Sequence, residues 1–155
     1  MRRAGYNVPV STFNERDVTC EKCGEDFKGT IWTAIHAGQD PELKELLLGG
    51  ELNILFCPHC AHTFYFEHFL LYQDPRLGIV AYVYPPAEEY RRTELGVLMK
   101  RSFSDAQESL DPKDRLPYGP SLFFGLDELQ ARIRQEEERV TKEEVEKARK
   151  KLGGT

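Results

Sequence analysis

All four cysteines of this chain fall into two matched pairs, Cys20-Glu21-Lys22-Cys23 and Cys57-Pro58-His59-Cys60. The two-residue spacing places both thiolates of a pair on one tight turn, and two such turns supply the four ligands of a tetrahedral metal site. Zinc is the usual cation of such a site. Because four thiolates leave no open coordination position, we expect one structural zinc ion per chain, bound by Cys20, Cys23, Cys57 and Cys60.

Three other interpretations of the cysteine pairs stay open. A rubredoxin-like iron site uses the same four ligands. A dithiol redox enzyme needs one Cys-x-x-Cys motif at the start of a helix, whereas this chain has two such motifs on predicted hairpins. Four buried thiols without a metal would require the pairing to arise by chance. A disulfide is disfavoured because we expect a reducing compartment.

Three histidines, His59, His62 and His68, follow or lie within the second pair and raise the question of a mixed Cys-His catalytic zinc. Since four cysteines already complete the shell, we expect His59 on the surface of the turn and His62 beside the site rather than on the metal. The chain has no HExxH, zinc-deaminase or nucleophile motif. The sequence therefore predicts a protein that is not an enzyme.

Composition and charge limit the class of protein. A length of 155 residues with 40% hydrophobic and 30% charged side chains fits a soluble globular protein of ordinary domain size. The net charge of -5 disfavours a surface devoted to nucleic acid, which binds largely through Lys and Arg. No apolar run approaches the roughly 20 residues of a membrane-spanning helix, and no signal peptide is evident. We therefore expect a cytoplasmic protein with no membrane partner.

The elements that must position the cysteines are predicted from local patterns. Alternating or β-branched and aromatic residues indicate strands over residues 27–33, 52–56, 64–66 and 77–84. Two of these strands, 52–56 and 64–66, flank the second cysteine pair. In a zinc ribbon each cysteine pair lies on a β-hairpin, and we expect the same arrangement here. Residues 1–16 show no sustained period and are predicted to be an irregular lead-in.

A short helix is predicted between the cysteine pairs. Asp40 is a candidate cap, Pro41 suits the first helical position, and Gly49-Gly50 ends the pattern. This inserted helix explains why the pairs are further apart than the roughly 15 to 20 residues of a simple two-knuckle site.

The second half of the chain changes character. Residues 87–101 are a helix candidate, and residues 102–121 hold three prolines and read as a loop. Beyond the loop a narrow apolar stripe predicts helix, and the capping-box form of Thr141-Lys142-Glu143-Glu144 predicts a break into two helices near Thr141.

Together these elements predict an α+β fold. A zinc-ribbon-like antiparallel sheet with two cysteine knuckles, an inserted short helix, and a flanking strand and helix occupies residues 1–101. A Pro-rich loop over residues 102–121 then leads to a charged helical segment over residues 122–155. The narrow stripe of that last segment is typical of a helix that binds a protein partner, so we expect a protein-interaction or regulatory module.

Two other functions remain as alternatives. One is a zinc ribbon that binds nucleic acid, for which the basic candidates are Lys22, Lys28, Arg91, Arg92, Lys100 and Arg101. Aromatic residues that would stack on bases in that case, but that we expect to form a small core, are Trp32, Phe56, Phe64, Tyr65, Phe66, Phe69 and Tyr72. The other alternative is a thiol-redox or metal-assisted enzyme.

Several short motifs occur in a fixed order along the chain. They are Cys20-x-x-Cys23-Gly24, Ile31-Trp32, Asp40-Pro41-Glu42-Leu43-Lys44, Gly50-Glu51-Leu52-Asn53, Cys57-Pro58-His59-Cys60 and Leu70-Leu71-Tyr72-Gln73-Asp74. This order resembles the bacterial CpXC domain over roughly residues 17–85, and residues 124–129 are similar to the helical tail of that family. The resemblance implies a zinc-binding domain of no established role, with the four cysteines as ligands.

The chain departs from the family pattern at three positions. Glu21 stands where a proline is expected, Ala61 replaces a glycine, and Gln73 replaces a histidine. The first two changes leave the thiolates in place, whereas Gln73 removes any function that depends on that histidine.

Overall fold

The computed structural model of the protein describes residues 10–153. The strands are β1 (Thr12–Thr19), β2 (Asp26–His36), β3 (Ile54–Phe56), β4 (Thr63–Tyr65), β5 (Leu70–Asp74), β6 (Ile79–Tyr84) and β7 (Ser121–Phe124). The α-helices are α1 (Pro41–Leu48), α2 (Arg92–Glu108) and α3 (Leu126–Lys151), with short 3-10 helices at Pro86–Arg91 and Pro112–Asp114. The chain is therefore of mixed α+β class, as predicted.

Five strands form the main sheet in the order β1-β2-β5-β6-β7, and β3 and β4 form a separate antiparallel pair. The β1-β2 and β5-β6 pairs are antiparallel, whereas β2-β5 and β6-β7 are parallel. Parallel neighbours need a long connection. Between β2 and β5 that connection contains α1 and the β3-β4 hairpin, so the second cysteine pair is carried on an insertion between two neighbouring strands.

One large hydrophobic core joins the main sheet to α1 and α3. Ile35 and Tyr72 are cross-strand neighbours on β2 and β5, and both are fully buried. Leu47 of α1 and Leu129 and Ile133 of α3 are fully buried in the same cluster. Residues at the start of the predicted charged segment therefore belong to the core of the molecule.

A second, smaller core lies at the cysteine end of the molecule. Its buried members are Val18, Ile31 and Leu55, and the aromatic rings of Phe27, Phe64 and Phe66 pack against them. A methyl group at Gly29 would lie 3.0 Å from Cδ1 of Leu55 and 3.3 Å from Cγ2 of Val18. The absence of a side chain at Gly29 thus lets the β3-β4 hairpin pack closely on β2.

Asn53 ties the same hairpin to β2 through hydrogen bonds. The backbone N–H of Trp32 donates to Oδ1 of Asn53 at 2.8 Å, and Nδ2 of Asn53 donates to the carbonyl of Trp32 at 3.0 Å. Asn53 is buried and has a φ of 59°, a left-handed conformation that asparagine tolerates better than most residues. The Asn53 side chain therefore makes the two hydrogen bonds to the backbone of Trp32 that a neighbouring strand would otherwise make.

An ionic network connects α1, the end of β5 and α3. Nζ of Lys44 lies 2.9 Å from Oδ2 of Asp74, which also accepts a hydrogen bond from the Tyr72 hydroxyl at 2.8 Å. Lys44 and Arg76 both bind the carboxylate of Glu137 on α3. The hydrogen bond from Lys44 lowers the pKa of Glu137. The network therefore holds the middle of α3 against the sheet.

Replacing Glu137 with Gln should lower the free energy of unfolding by about 1 kcal/mol at pH 7, because Lys44 and Arg76 each lose one of their two carboxylate partners. The folded pKa of Glu137 lies below its unfolded value of about 4.3. Its stabilisation is therefore complete above that value and is lost as pH falls through the lower folded pKa. Urea unfolding as a function of pH should show wild type and variant converging in acid. Glu138→Gln, on the exposed face of α3, should change stability little at any pH.

The strand and helix predictions near the cysteines are confirmed in outline, but residues 52, 53 and 66 lie outside β3 and β4. Residues 12–16 of the predicted lead-in belong to β1, while residues 1–9 lie outside the described part of the chain. The side chain of Asp40 makes no capping hydrogen bond; its carbonyl accepts one from the N–H of Leu43 at 3.0 Å. Residues 77 and 78 form a turn before β6 rather than the start of the strand.

Two predictions in the second half were wrong. The predicted 102–121 loop is shorter, because α2 continues to Glu108 and β7 begins at Ser121. The predicted break near Thr141 is absent, and α3 is continuous from Leu126 to Lys151. The Arg139–Glu143 and Glu138–Lys142 ion pairs cross the predicted break, and i,i+4 pairs of this kind support helix. None of the helices within residues 10–153 has the length and apolar character needed to cross a bilayer.

Candidate metal centre

Each cysteine pair lies in the turn of a β-hairpin, as predicted. The Thr19–Asp26 pair is the last of the β1-β2 ladder before the first turn, and the Phe56–Thr63 pair is the last of β3-β4 before the second. The two hairpins pack through the smaller hydrophobic core. Both turns are therefore held at the same end of the molecule.

The structure brings the four thiol groups of Cys20, Cys23, Cys57 and Cys60 together. All their sulfurs lie within 4.8 Å of one another. The Cys20–Cys60 sulfur distance is 3.6 Å and the Cys23–Cys57 distance is 3.7 Å. A tetrahedral zinc site with bonds of about 2.3 Å has sulfur–sulfur edges of about 3.8 Å, whereas a disulfide bond is about 2.05 Å long. The cluster therefore has the size of a metal site, and the cysteines are free.

The backbone of the first turn is wrapped round the sulfur of Cys20. The N–H of Cys20 donates to the carbonyl of Glu25 and the N–H of Gly24 donates to the carbonyl of Cys20, both at 2.9 Å. The N–H groups of Lys22 and Cys23 point at the Cys20 sulfur, at 3.4 and 3.5 Å. Such N–H groups stabilise a thiolate by placing partial positive charge beside it.

The second turn repeats this pattern round Cys57. The N–H of Cys57 donates to the carbonyl of His62 and the N–H of Ala61 donates to the carbonyl of Cys57, both at 2.9 Å. The N–H of His59 lies 3.4 Å from the Cys57 sulfur. Two turns of the same hydrogen-bond pattern thus face each other across the cluster.

The fifth residue of each turn has a left-handed backbone. It is Gly24 in the first turn, with φ of 79°, and Ala61 in the second, with φ of 65°. Left-handed backbone costs a residue with a Cβ about 1 to 2 kcal/mol, a cost that glycine avoids. The departure at Ala61 therefore leaves the thiolates in place but adds backbone strain beside them.

Replacing Ala61 with Gly should stabilise the folded protein by up to about 1 kcal/mol, because the strain is relieved while glycine adds some freedom to the unfolded chain. The reciprocal change, Gly24→Ala, should destabilise by a similar amount. A methyl group at Gly24 would meet no atom within 4 Å, so any loss reports backbone strain alone. Thermal unfolding of both variants in the zinc-loaded form measures the two effects. A stabilising Gly24→Ala or a destabilising Ala61→Gly would contradict this account.

The thiols do not all ionise with equal ease. The N–H of Cys23 lowers the pKa of Cys20 to about 6, against the opposing effect of burial. At Cys23 the N–H of Glu25 lowers the pKa, but burial and the neighbouring thiols outweigh it and raise the pKa to about 12. Negative charges so close together repel one another. A divalent cation removes that repulsion, so the donor set fits a metal ion.

Burial differs within the cluster. Cys20 and Cys57 are 1% and 0% exposed, whereas Cys23 is exposed and Cys60 is intermediate. One cysteine of each pair is therefore buried and the other lies nearer the surface. A metal ion here would link the two hairpins at a point where few apolar side chains are buried.

The histidines near the second pair have other contacts. Nε2 of His62 lies 3.1 Å from a carboxylate oxygen of Glu21, and its ring stacks on Phe64 with centroids 5.6 Å apart. Nε2 of His59 lies 3.3 Å from the carbonyl of Asp26. Neither ring belongs to the cluster of potential ligands found within residues 10–153.

Replacing His62 with Ala should leave one metal ion per chain and reduce stability by less than about 1 kcal/mol, because only an exposed pair with Glu21 and a ring contact are lost. Metal content after dialysis at neutral pH, together with the unfolding midpoint, provides the measurement. Glu21→Ala is the matched control, since it removes the same pair from the other side. Loss of the metal in His62→Ala but not in Glu21→Ala would identify His62 as a ligand.

The other residues singled out by sequence lie in different places. Tyr72 is fully buried in the main core, and Phe64 and Phe66 line the smaller one, while Phe56 is 61% exposed. Of the basic candidates, Lys28, Arg91 and Arg92 are engaged in ion pairs. The sequence patterns did not predict that Asn53 bonds to β2 or that Lys44 pairs with Asp74 and Glu137. The one signal in the sequence was that both residues lie within the ordered motifs.

A comparison with protein-family models matches most of the chain. The model described as CpXC protein covers residues 18–148, which is longer than the 17–85 stretch that resembles the domain by motif and includes most of α3. No curated protein and no solved structure gives a significant match.

Proposed function

The chain belongs to the CpXC family, and from this membership and its clustered cysteines we propose that it is a zinc-binding protein whose metal is structural. One zinc ion would be held by Cys20, Cys23, Cys57 and Cys60. Bound there, zinc supplies cross-linking of the two hairpins rather than a reactive centre, because four thiolates leave it no open position. A reducing compartment such as the cytoplasm is part of this proposal, since the thiols must stay unoxidised.

The observation that carries the proposal is the spacing of the four sulfurs. The 3.6 and 3.7 Å separations match the edge of a zinc tetrathiolate and exceed a disulfide bond. Iron has the same preference for four thiolates, so the donor set alone does not separate the two metals. We favour zinc because a redox role has no other support in the chain.

Metal analysis tests this proposal. The full chain, purified under reducing conditions without added metal, should contain one zinc ion and no iron, and it should lack the visible absorption of an iron–thiolate centre. A strong chelator should remove the zinc and unfold the cysteine end of the molecule. A wild-type chain that is stable and metal-free at neutral pH would contradict the proposal.

The second part of the proposal is an interaction role, in which the metal-bearing domain presents a surface to another protein. Its support is the end of α3, where residues 141–153 are all exposed although the helix is continuous. A helix that extends beyond the core it is attached to is available for contact. The ion pairs of Lys28, Arg91 and Arg92 reduce the number of basic groups free for phosphates, so a protein partner is favoured over nucleic acid. We assign no catalytic role.

The interaction role is tested with a shortened chain. Deleting residues 122–155 would remove Leu129 and Ile133 from the core, so the informative variant ends at Glu144, which retains the pair with Arg76. Proteins retained from native lysate by the full chain but not by this variant would support the role. Binding of a nucleic-acid fragment with steep salt dependence would instead favour the nucleic-acid alternative.

A further inference from the structure

A cavity of about 310 Å³ lies between the β3-β4 hairpin and the start of α3. Its apolar wall includes Ile54 and Tyr65, which are direct cross-strand neighbours on the hairpin, and Phe124 and Leu126 at the β7-α3 junction. Ile54 is 42% exposed and Tyr65 is 37% exposed. Phe56, two residues beyond Ile54 on the same strand face, is 61% exposed. The cavity therefore continues onto an exposed apolar strip of the hairpin.

The charged side chains that line this cavity are both acidic. They are Glu67, just after β4, and Asp127, in the first turn of α3. Burial, followed by the nearby charges of Glu67 and Asp127, raises the pKa of Tyr65 to about 12. An apolar wall with two carboxylates is complementary to an apolar side chain that has basic neighbours.

The C-terminal end of α3 carries apolar side chains with basic neighbours. Residues 141–153 are exposed along their whole length, and Val145, Ala148 and Leu152 share one face of the helix at i, i+3 and i+7 spacing. Val145 is 50% exposed and Leu152 is 86% exposed. Residues 147–155 contain four basic side chains and no acidic one. We call residues 145–152 the tail.

We propose that the tail of a second copy of this chain occupies the cavity, and that two copies exchange their tails about a two-fold axis. The α3 helix begins at the cavity and ends in the tail, 26 residues later, a length of about 39 Å. Two antiparallel α3 helices place each tail beside the start of its neighbour. The arrangement closes on itself, so it gives a dimer rather than a filament. The tail exchange makes a second copy of the chain the protein partner of the proposed interaction role, and it rests on that role.

Charge and helix polarity act in the same direction. The basic last turn of one helix lies against the acidic first turn of the other. The two helix dipoles are antiparallel, so the interaction between them is also attractive. Leu152 and Val145 then cover the exposed rings and side chains of the hairpin. Because the attraction is partly between surface charges, the dimer should weaken in high salt.

Sedimentation velocity of the zinc-loaded chain, from micromolar to millimolar concentration, tests the exchange. The full chain should pass from monomer to dimer as concentration rises, and the chain that ends at Glu144 should remain monomeric. The shortened chain should keep the circular-dichroism signal of its core helices, because residues 145–153 are exposed in the single copy. A synthetic peptide of residues 141–155 should bind the shortened chain.

A charge exchange gives the sharper test. Glu67→Lys with Asp127→Lys should weaken dimerisation by roughly tenfold or more, and Arg149→Glu with Lys150→Glu should do the same. The chain that carries all four substitutions should regain dimerisation, because its basic cavity meets an acidic tail. Glu42→Lys with Glu45→Lys, on the exposed face of α1, is the control for charge alone.

Three outcomes would overturn the inference. They are a full chain that is monomeric at every concentration, a shortened chain that dimerises as strongly as the full chain, and a chain with all four substitutions that does not regain dimerisation. Zinc content is measured on the same samples. A zinc-loaded monomer overturns the tail exchange and leaves the metal proposal standing, whereas a folded chain without zinc contradicts the metal proposal itself.

Discussion

Replacing Cys57 with Ser should abolish metal binding and unfold the cysteine end of the molecule. Cys57 is fully buried, and its sulfur accepts the N–H of His59 in the second turn. Structural zinc contributes apparent binding free energies of about 10 to 16 kcal/mol in small zinc-binding peptides, which rivals the roughly 5 to 15 kcal/mol of total stability of a domain. The smaller core, with three buried side chains, offers little to replace that contribution.

Hydrogen exchange should locate the damage. Amides of β3, β4 and the paired parts of β1 and β2 should lose protection in Cys57→Ser, because without the metal the two hairpins are joined by only the smaller core and the Asn53–Trp32 hydrogen bonds. Amides of β5 and β6 should keep more protection, since their side chains belong to the main core. His59→Ser is the matched control, because it places the same residue at an exposed position of the same turn. Equal exchange in both variants, or a full complement of zinc in Cys57→Ser, would disprove a structural site at these cysteines.

Replacing Ile133 with Ala should destabilise the protein by about 3 kcal/mol, since burial is lost and a cavity remains. Ile133 is fully buried on α3 in the main core, beside Leu129. The size of this effect distinguishes a helix that completes the core from one that is merely attached to it. Denaturant unfolding of the zinc-loaded chain gives the free energy directly.

The control for Ile133→Ala is Val97→Ala on α2. Val97 is also β-branched and helical but is 52% exposed, so its replacement should change stability by less than about 0.5 kcal/mol. Bound zinc should stay at the wild-type level in both variants. A loss below about 1 kcal/mol at Ile133 would show that α3 does not contribute to the core as the structure indicates.

The elements near the cysteines were predictable because their signals are local. The Cys-x-x-Cys spacing, the proline at the start of α1 and the glycines after it each act within a few residues. The first strand was missed because β1 is mostly exposed and polar and shows no clear alternation. It is a strand because it pairs with β2 along its length, and that partner lies across the first turn.

The course of α3 was misjudged for a related reason. Its apolar residues change face near Thr141, and a change of face resembles a break when the sequence is considered alone. In the structure the helix continues and only its surroundings change, from core at Leu129 and Ile133 to solvent beyond Val140. Periodicity reports which face is apolar, but it does not report where the core ends.

The ligand types, their pairing and the α+β class followed from the amino-acid sequence, because thiolate chemistry and helix-end signals depend on neighbours along the chain. Tertiary structure decided the insertion of the second hairpin between β2 and β5, the bridging role of Asn53 and the acidic cavity at the start of α3. These features join residues far apart in sequence, and no local pattern encodes which distant surfaces will meet.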